Sequence, residues 1–185
     1  MTDKLVGGVR QDMAGRGFAL VATPPLVNDA LCLKLKRDRT VLEYHSKQWV
    51  KFRPLARYGW WLECLLGRAL PEESVSLASL EFRHETAGSV DEEVDRLHVD
   101  GSYIRSTCTL YGRATIYRCG RTELPVPDGQ TLFITAMDRA RALRVPCTQH
   151  RRPGAGPERA IIVCSFEPRR EQPQRANTYR QVAQR

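Results

Sequence analysis

The sequence has no run approaching the roughly 18 apolar residues of a membrane-spanning helix. Its longest apolar stretches are Phe18–Ala22 and Tyr58–Leu66, the second broken by Gly59 and Glu63. No Cys-x-x-Cys pair occurs among Cys32, Cys64, Cys108, Cys119, Cys147 and Cys164, which argues against a zinc ribbon or a thioredoxin-type centre. Cys147 and His150 form a Cys-x-x-His, but no second pair completes a tetrahedral site. Met1-Thr2-Asp3-Lys4-Leu5 lacks the basic start and apolar middle of a secretion signal. The expectation is therefore a cytoplasmic protein with no membrane association, its thiols reduced and mostly buried. Internal repeats and low-complexity segments are also missing.

What is present suits one folded domain. The 185 residues are 42% hydrophobic and 27% charged, enough apolar content to build a core without disulfide or metal staples. The net charge of +8 is uneven: Arg169–Arg185 holds five Arg and one Glu, so half of the excess lies in a stretch with little to bury. The expected organisation is a single domain over residues 1–168 and a basic, flexible tail over 169–185. A basic chain invites a nucleic-acid-binding reading. The basic residues here run along the whole sequence without regularly interleaved aromatics, so that reading stands as an alternative. Oligomeric state is not legible.

Two textures divide the domain. Residues 1–75 form an expected helical layer. Asp3–Arg16 suggests a short helix, and Phe18–Ala22 a strand ended by Pro24-Pro25. Asn28 or Asp29 suits the cap of a following helix. From Pro54, Leu55, Tyr58, Trp61, Leu62, Leu65 and Leu66 recur at helical spacing until Gly67 and Pro71. The Trp60-Trp61 pair reads as core packing. Residues 76–168 form an expected β core. Short alternating stretches at Leu80–His84, Tyr103–Tyr111, Ala114–Arg118, Thr131–Thr135, Ala142–Val145 and Arg159–Phe166 are separated by turn signals, the pattern of a sandwich or barrel. The fold class is α+β with a mainly β core.

The chemistry concentrates on few residues. There are only four histidines. In Leu97-His98-Val99-Asp100-Gly101, an imidazole and a carboxylate two apart on extended backbone share a face. His150 follows in Thr148-Gln149-His150-Arg151-Arg152-Pro153. Two neutral imidazoles and one carboxylate on one side of an octahedral ion leave the other side open, the ligand set of non-haem Fe(II) oxygenases. Arg159 opens Arg159-Ala160-Ile161-Ile162-Val163-Cys164-Ser165-Phe166, a buried-strand pattern. A guanidinium there is costly unless an anion meets it, and a carboxylate does so bidentately.

In this order, His98-x-Asp100, His150 and Arg159, the sequence resembles the iron(II)/2-oxoglutarate-dependent oxygenases over residues 95–167. The resemblance implies a double-stranded β-helix, or jelly roll, behind an N-terminal helical layer. It implies Fe(II) held by His98, Asp100 and His150, and 2-oxoglutarate as cosubstrate with its distal carboxylate on Arg159. O2 would oxidise 2-oxoglutarate to succinate and CO2, with hydroxylation of a substrate C–H bond as the default outcome. Asp100 argues against a halogenase, in which a small residue replaces the carboxylate. The nucleic-acid demethylases of this superfamily carry a second Arg where Ser165 stands, so base repair is disfavoured. The short chain leaves little room for substrate-covering insertions, which points to a small metabolite or natural-product intermediate. Tyr103, Arg105, Thr107 and His84 are candidate pocket residues. A cupin-like barrel without oxygenase activity is a further alternative.

Overall fold

A computed structural model describes residues 1–25, 53–85, 88, 96–154 and 156–169. The Asn28/Asp29 cap, Cys32 and the tail beyond Arg169 lie outside the described residues. In chain order the elements are α1 (Asp3–Gly15), β1 (Phe18–Ala22), α2 (Arg53–Ala69), a 3₁₀ turn (Pro71–Glu73), β2 (Val75–Glu85), β3 (Ile104–Tyr111), β4 (Ile116–Cys119), β5 (Thr122–Pro125), β6 (Gln130–Thr135), α3 (Met137–Leu143), β7 (His150–Arg151) and β8 (Arg159–Pro168). The architecture is mainly β, in two antiparallel sheets. One has the order β1-β6-β3-β8-β2, the other β5-β4-β7.

Strand alternation divides the core in two. Ile104 and Cys108 of β3, Phe133 of β6, Leu80 and Phe82 of β2, and Ile162, Cys164 and Phe166 of β8 pack on one side of the five-stranded sheet. The helices cover that side. α1 contributes Val6, Val9 and Met13, and α2 contributes Leu55, Tyr58, Leu62, Leu65 and Leu66, each set at the spacing of one helix face. Thr2 caps α1, its hydroxyl accepting the Leu5 N–H at 3.4 Å. The other side of the sheet turns toward the three-stranded sheet. There Phe18, Leu132 and Ile134 meet Tyr117 and Val126, with the Phe18 and Tyr117 rings 5.0 Å apart. This second side is called the inner face below.

Gly17 joins α1 to β1 with φ at +76°, and a Cβ there would lie 2.2 Å from the Pro146 carbonyl oxygen. Only glycine meets both conditions. Its own carbonyl accepts the Thr135 N–H at 2.7 Å, which seats β1 on β6.

Two expectations are corrected. Ala142–Val145 is not a strand: Ala142 and Leu143 end α3. Four residues of Ala, Leu, Arg and Val do not separate the two periods, and Asp138–Leu143 is rich in helix formers. Trp61 packs beside Tyr58, ring centroids 6.4 Å apart, but Trp60 is exposed. Adjacent helical residues point about 100° apart, so only one of the pair faces the sheet. The five described cysteines are free thiols, with Cys108 and Cys164 buried, Cys64 and Cys119 partly buried and Cys147 exposed. Among the described residues no helix is long and apolar enough to cross a membrane.

One buried ion pair was not anticipated. Arg139 of α3, 2% exposed, donates from Nε to Glu73 Oε2 at 2.7 Å and from Nη2 to Glu73 Oε1 at 2.6 Å. Its Nη1 reaches the Thr135 hydroxyl at 2.6 Å. The fork-to-fork geometry supplies the partners that a buried guanidinium requires.

Candidate metal centre

His98 and His150 lie directly opposite each other on antiparallel backbone. The His98 N–H donates to the His150 carbonyl at 3.0 Å and the His150 N–H returns to the His98 carbonyl at 2.9 Å. A pair that exchanges both hydrogen bonds projects its side chains to the same face. The imidazole centroids are accordingly 4.5 Å apart. Two residues further on, Asp100 returns to that face. The loop carrying Asp100 is held by α3: Met137 N–H donates to the Asp100 carbonyl at 2.9 Å and Asp138 N–H to the Ser102 carbonyl at 3.2 Å.

One nitrogen or oxygen from each of His98, Asp100 and His150 converges, all within 4.8 Å of one another. His150 Nε2 is 3.3 Å from Asp100 Oδ2, and His98 Nε2 is 4.0 Å from Asp100 Oδ1. His98 Nδ1 lies 2.9 Å from the Arg96 carbonyl oxygen, a bond in which the ring donates. That assigns the Nε2 lone pair to the centre of the cluster, the usual device for orienting a ligating imidazole. Burial, opposed by the Asp100 charge and reinforced by His98, Arg105 and Arg83, lowers the His150 pKa to about 4. His150 is therefore a neutral base at physiological pH, the form that ligates. Asp100 Oδ2 is buried without a hydrogen-bond partner. Two imidazole nitrogens and a carboxylate oxygen around an unsatisfied acceptor fit a divalent first-row ion.

Arg105 reaches the cluster from β3. Its Nη1 donates to Asp100 Oδ1 at 2.5 Å, so one carboxylate oxygen is engaged and the other is left toward His150. The candidate pocket residue thus touches the triad, through a bond that strand alternation did not foretell. Thr107 follows on the inner face, buried, its hydroxyl 3.4 Å from that of Thr115. Tyr103 is placed elsewhere. It lies in the helix-side core, where burial and a hydrogen bond to Glu73 push its hydroxyl up to about 12. It precedes the β3 ladder, so the strand's alternation does not reach it. His84 lies in β2 opposite Ala160; its side chain is outside the described residues.

Arg159 is the first residue of β8 and is 5% exposed. It shares the inner face with Ile161, Val163 and Ser165, and Ser165 is the register partner of Arg105. Its Nη1 donates to the Arg113 carbonyl at 3.3 Å. The chain crosses it closely at Gly112, where φ is +80° and a Cβ would lie 2.5 Å from both the Arg159 Cβ and the Glu158 carbonyl oxygen. Arg113 then clamps the loop before β8, its Nη2 donating to the Gly154 carbonyl at 2.7 Å. A turn is expected between the Tyr103–Tyr111 and Ala114–Arg118 stretches; its service to Arg159 is visible only in the fold. Of the two arginines after His150, Arg151 bonds Glu123 at 2.8 Å on the small sheet, whereas Arg152 is buried.

No protein-family model and no curated protein sequence matches the chain. Solved structures do. A prolyl-4-hydroxylase from Pseudomonas putida superposes with a TM-score of 0.64 at 16% identity, over 91% of this chain and 95% of that one. The chain has the fold of that hydroxylase. The same fold recurs in a prolyl hydroxylase from Trichoplax adhaerens, solved with a hypoxia inducible factor peptide fragment, at a TM-score of 0.63, 11% identity and coverage of 89% and 90%. HygX from Streptomyces hygroscopicus, solved with nickel and 2-oxoglutarate, gives a TM-score of 0.54 at 12% identity, over 91% of this chain and 87% of that one. The shared fold thus covers nearly the whole of this chain.

Proposed function

We propose that the protein is an Fe(II)/2-oxoglutarate-dependent oxygenase that hydroxylates a C–H bond of a small molecule, its two sheets forming a double-stranded β-helix. The observation that carries this reading is the convergence of His98, Asp100 and His150 within 4.8 Å of one another around a buried, unbonded carboxylate oxygen. His98 Nε2, His150 Nε2 and Asp100 Oδ2 are the assigned ligand atoms. Arg159 receives the distal carboxylate of 2-oxoglutarate, its position set by the Arg113 carbonyl and the close passage of Gly112. Iron held by these residues would activate O2, with 2-oxoglutarate as the two-electron reductant that leaves as succinate and CO2. The chain's own residues bind and orient. Arg105 holds Asp100 to a single free oxygen, and burial keeps His150 unprotonated. The HygX structure, with nickel and 2-oxoglutarate in the same fold, supports these cofactors. Free thiols, one of them exposed, suit a reducing compartment and a cytoplasmic location.

The test is Fe(II)-dependent conversion of 2-oxoglutarate to succinate by purified protein, together with anaerobic Co(II) titration followed by visible absorption. Both signals should vanish in His150→Ala. Succinate formation without added metal, or Co(II) bands unchanged in that variant, refutes the assignment.

A further inference from the structure

The inner face of the five-stranded sheet carries three arginines. Arg105, Arg159 and Arg83 stand on β3, β8 and β2, three neighbouring strands. Arg83 is answered locally: its Nε and Nη2 donate to Glu81 Oε2 at 2.8 and 2.6 Å. Among the described residues Arg105 is answered only by Asp100, which also faces His150. Its side chain is 21% exposed, and its Nε is buried with no hydrogen-bond partner. An unsatisfied buried guanidinium N–H is costly and is an uncommon feature of a finished structure.

This inference rests on the functional reading above. Metal binding draws on the one carboxylate that Arg105 uses, which leaves Arg105 as an under-compensated cation in a partly buried site. The low local dielectric makes a second anion the stabilising answer. We infer that the substrate carries a carboxylate, received by the Nε–Nη2 edge of Arg105 while Nη1 stays on Asp100. A planar fork with one edge tethered and the other unsatisfied suits bidentate carboxylate recognition. Arg105 is bonded to a ligand of the metal, so the carbon oxidised lies within a few bonds of that carboxylate. The substrate class is a small carboxylic acid rather than a neutral metabolite.

Isobutyrate and its neutral isostere isobutyramide serve as probes. Protein loaded with Co(II) and saturating 2-oxoglutarate under anaerobic conditions is titrated with each, followed by saturation-transfer NMR and the Co(II) absorption bands. Isobutyrate should bind at least about ten-fold more tightly than isobutyramide, the scale of a hydrogen bond to a charged group. Arg105→Gln should reduce isobutyrate affinity to that of the amide, Arg105→Lys should recover part of it, and Arg83→Gln should leave it unchanged. Near-UV circular dichroism checks that the variants fold. Equal binding of acid and amide, absence of saturable isobutyrate binding, or loss in Arg83→Gln but not in Arg105→Gln overturns the proposal. Failure of the oxygenase reading shows separately, as Co(II) bands that never develop. The acid-against-amide comparison on metal-free protein then decides whether Arg105 binds carboxylate at all.

Discussion

Arg139→Ala is the perturbation with the best-defined consequence. The side chain is 2% exposed and makes two charge-assisted bonds, at 2.6 and 2.7 Å, to Glu73, whose own side chain is 11% exposed. Removing Arg139 leaves that carboxylate nearly buried, with the Tyr103 hydroxyl still beside it. Breaking one member of a buried pair typically costs about 3–5 kcal/mol. For a domain of this size, 1 kcal/mol moves Tm by about 2–4 °C, so a fall of roughly 6–20 °C is expected. Such a loss is a large share of the ~5–15 kcal/mol that holds most domains folded. The effect also reaches the site. Arg139 anchors α3, and α3 holds the Asp100 and Ser102 carbonyls through its first N–H groups. Co(II) affinity should therefore fall with stability. The double variant Arg139→Met/Glu73→Leu removes both charges and should regain most of the Tm, because an apolar pair of similar volume often matches a buried ion pair. Thermal unfolding by circular dichroism and urea titration measure all three. A Tm within about 2 °C of wild type for Arg139→Ala, or a double variant no better than the single, refutes the reasoning.

Three further outcomes are expected. Replacing His98, Asp100 or His150 by Ala should abolish turnover and Co(II) binding while far-UV circular dichroism stays native, because all three side chains point into one cluster rather than into the hydrophobic core. Arg159→Ala should raise the apparent KM for 2-oxoglutarate roughly 30-fold to several-thousand-fold, the scale of truncating one member of a desolvated charge pair. Arg159→Lys should recover part, and Arg151→Ala, on the small-sheet surface with Glu123, should change it little; equal losses in all three would point to diffuse electrostatics. Gly112→Ala should lower Tm and weaken 2-oxoglutarate binding together, since its Cβ collides with Arg159 and its φ disfavours any side chain. An unchanged KM in that variant would separate the turn from the carboxylate site.

The sequence by itself determined what depends on near neighbours. The parity of His98 and Asp100 puts them on one face of any extended backbone. The spacing of Leu55, Tyr58, Leu62, Leu65 and Leu66 yields one buried helix face. Arg159 is followed by a β-branched and apolar run that makes its burial foreseeable. Intervals of two, three and four residues decide these features, so the chain states them locally. Tertiary structure alone decided what depends on partners far apart. The His98–His150 pairing joins segments separated by the whole of β3 to α3. Asp100 receives Arg105, and Glu73 receives Arg139 from across the chain. Which tryptophan of the pair faces the sheet, and whether Tyr103 joins the pocket or the core, follow from where α2 docks and where β3 begins. A buried charge needs a counter-charge at hydrogen-bond distance, and no sequence period records which distant residue supplies it. For the same reason His98, Asp100 and His150 were legible as a list of residues, while the unsatisfied Arg105 edge beside them appears only when the strands are assembled.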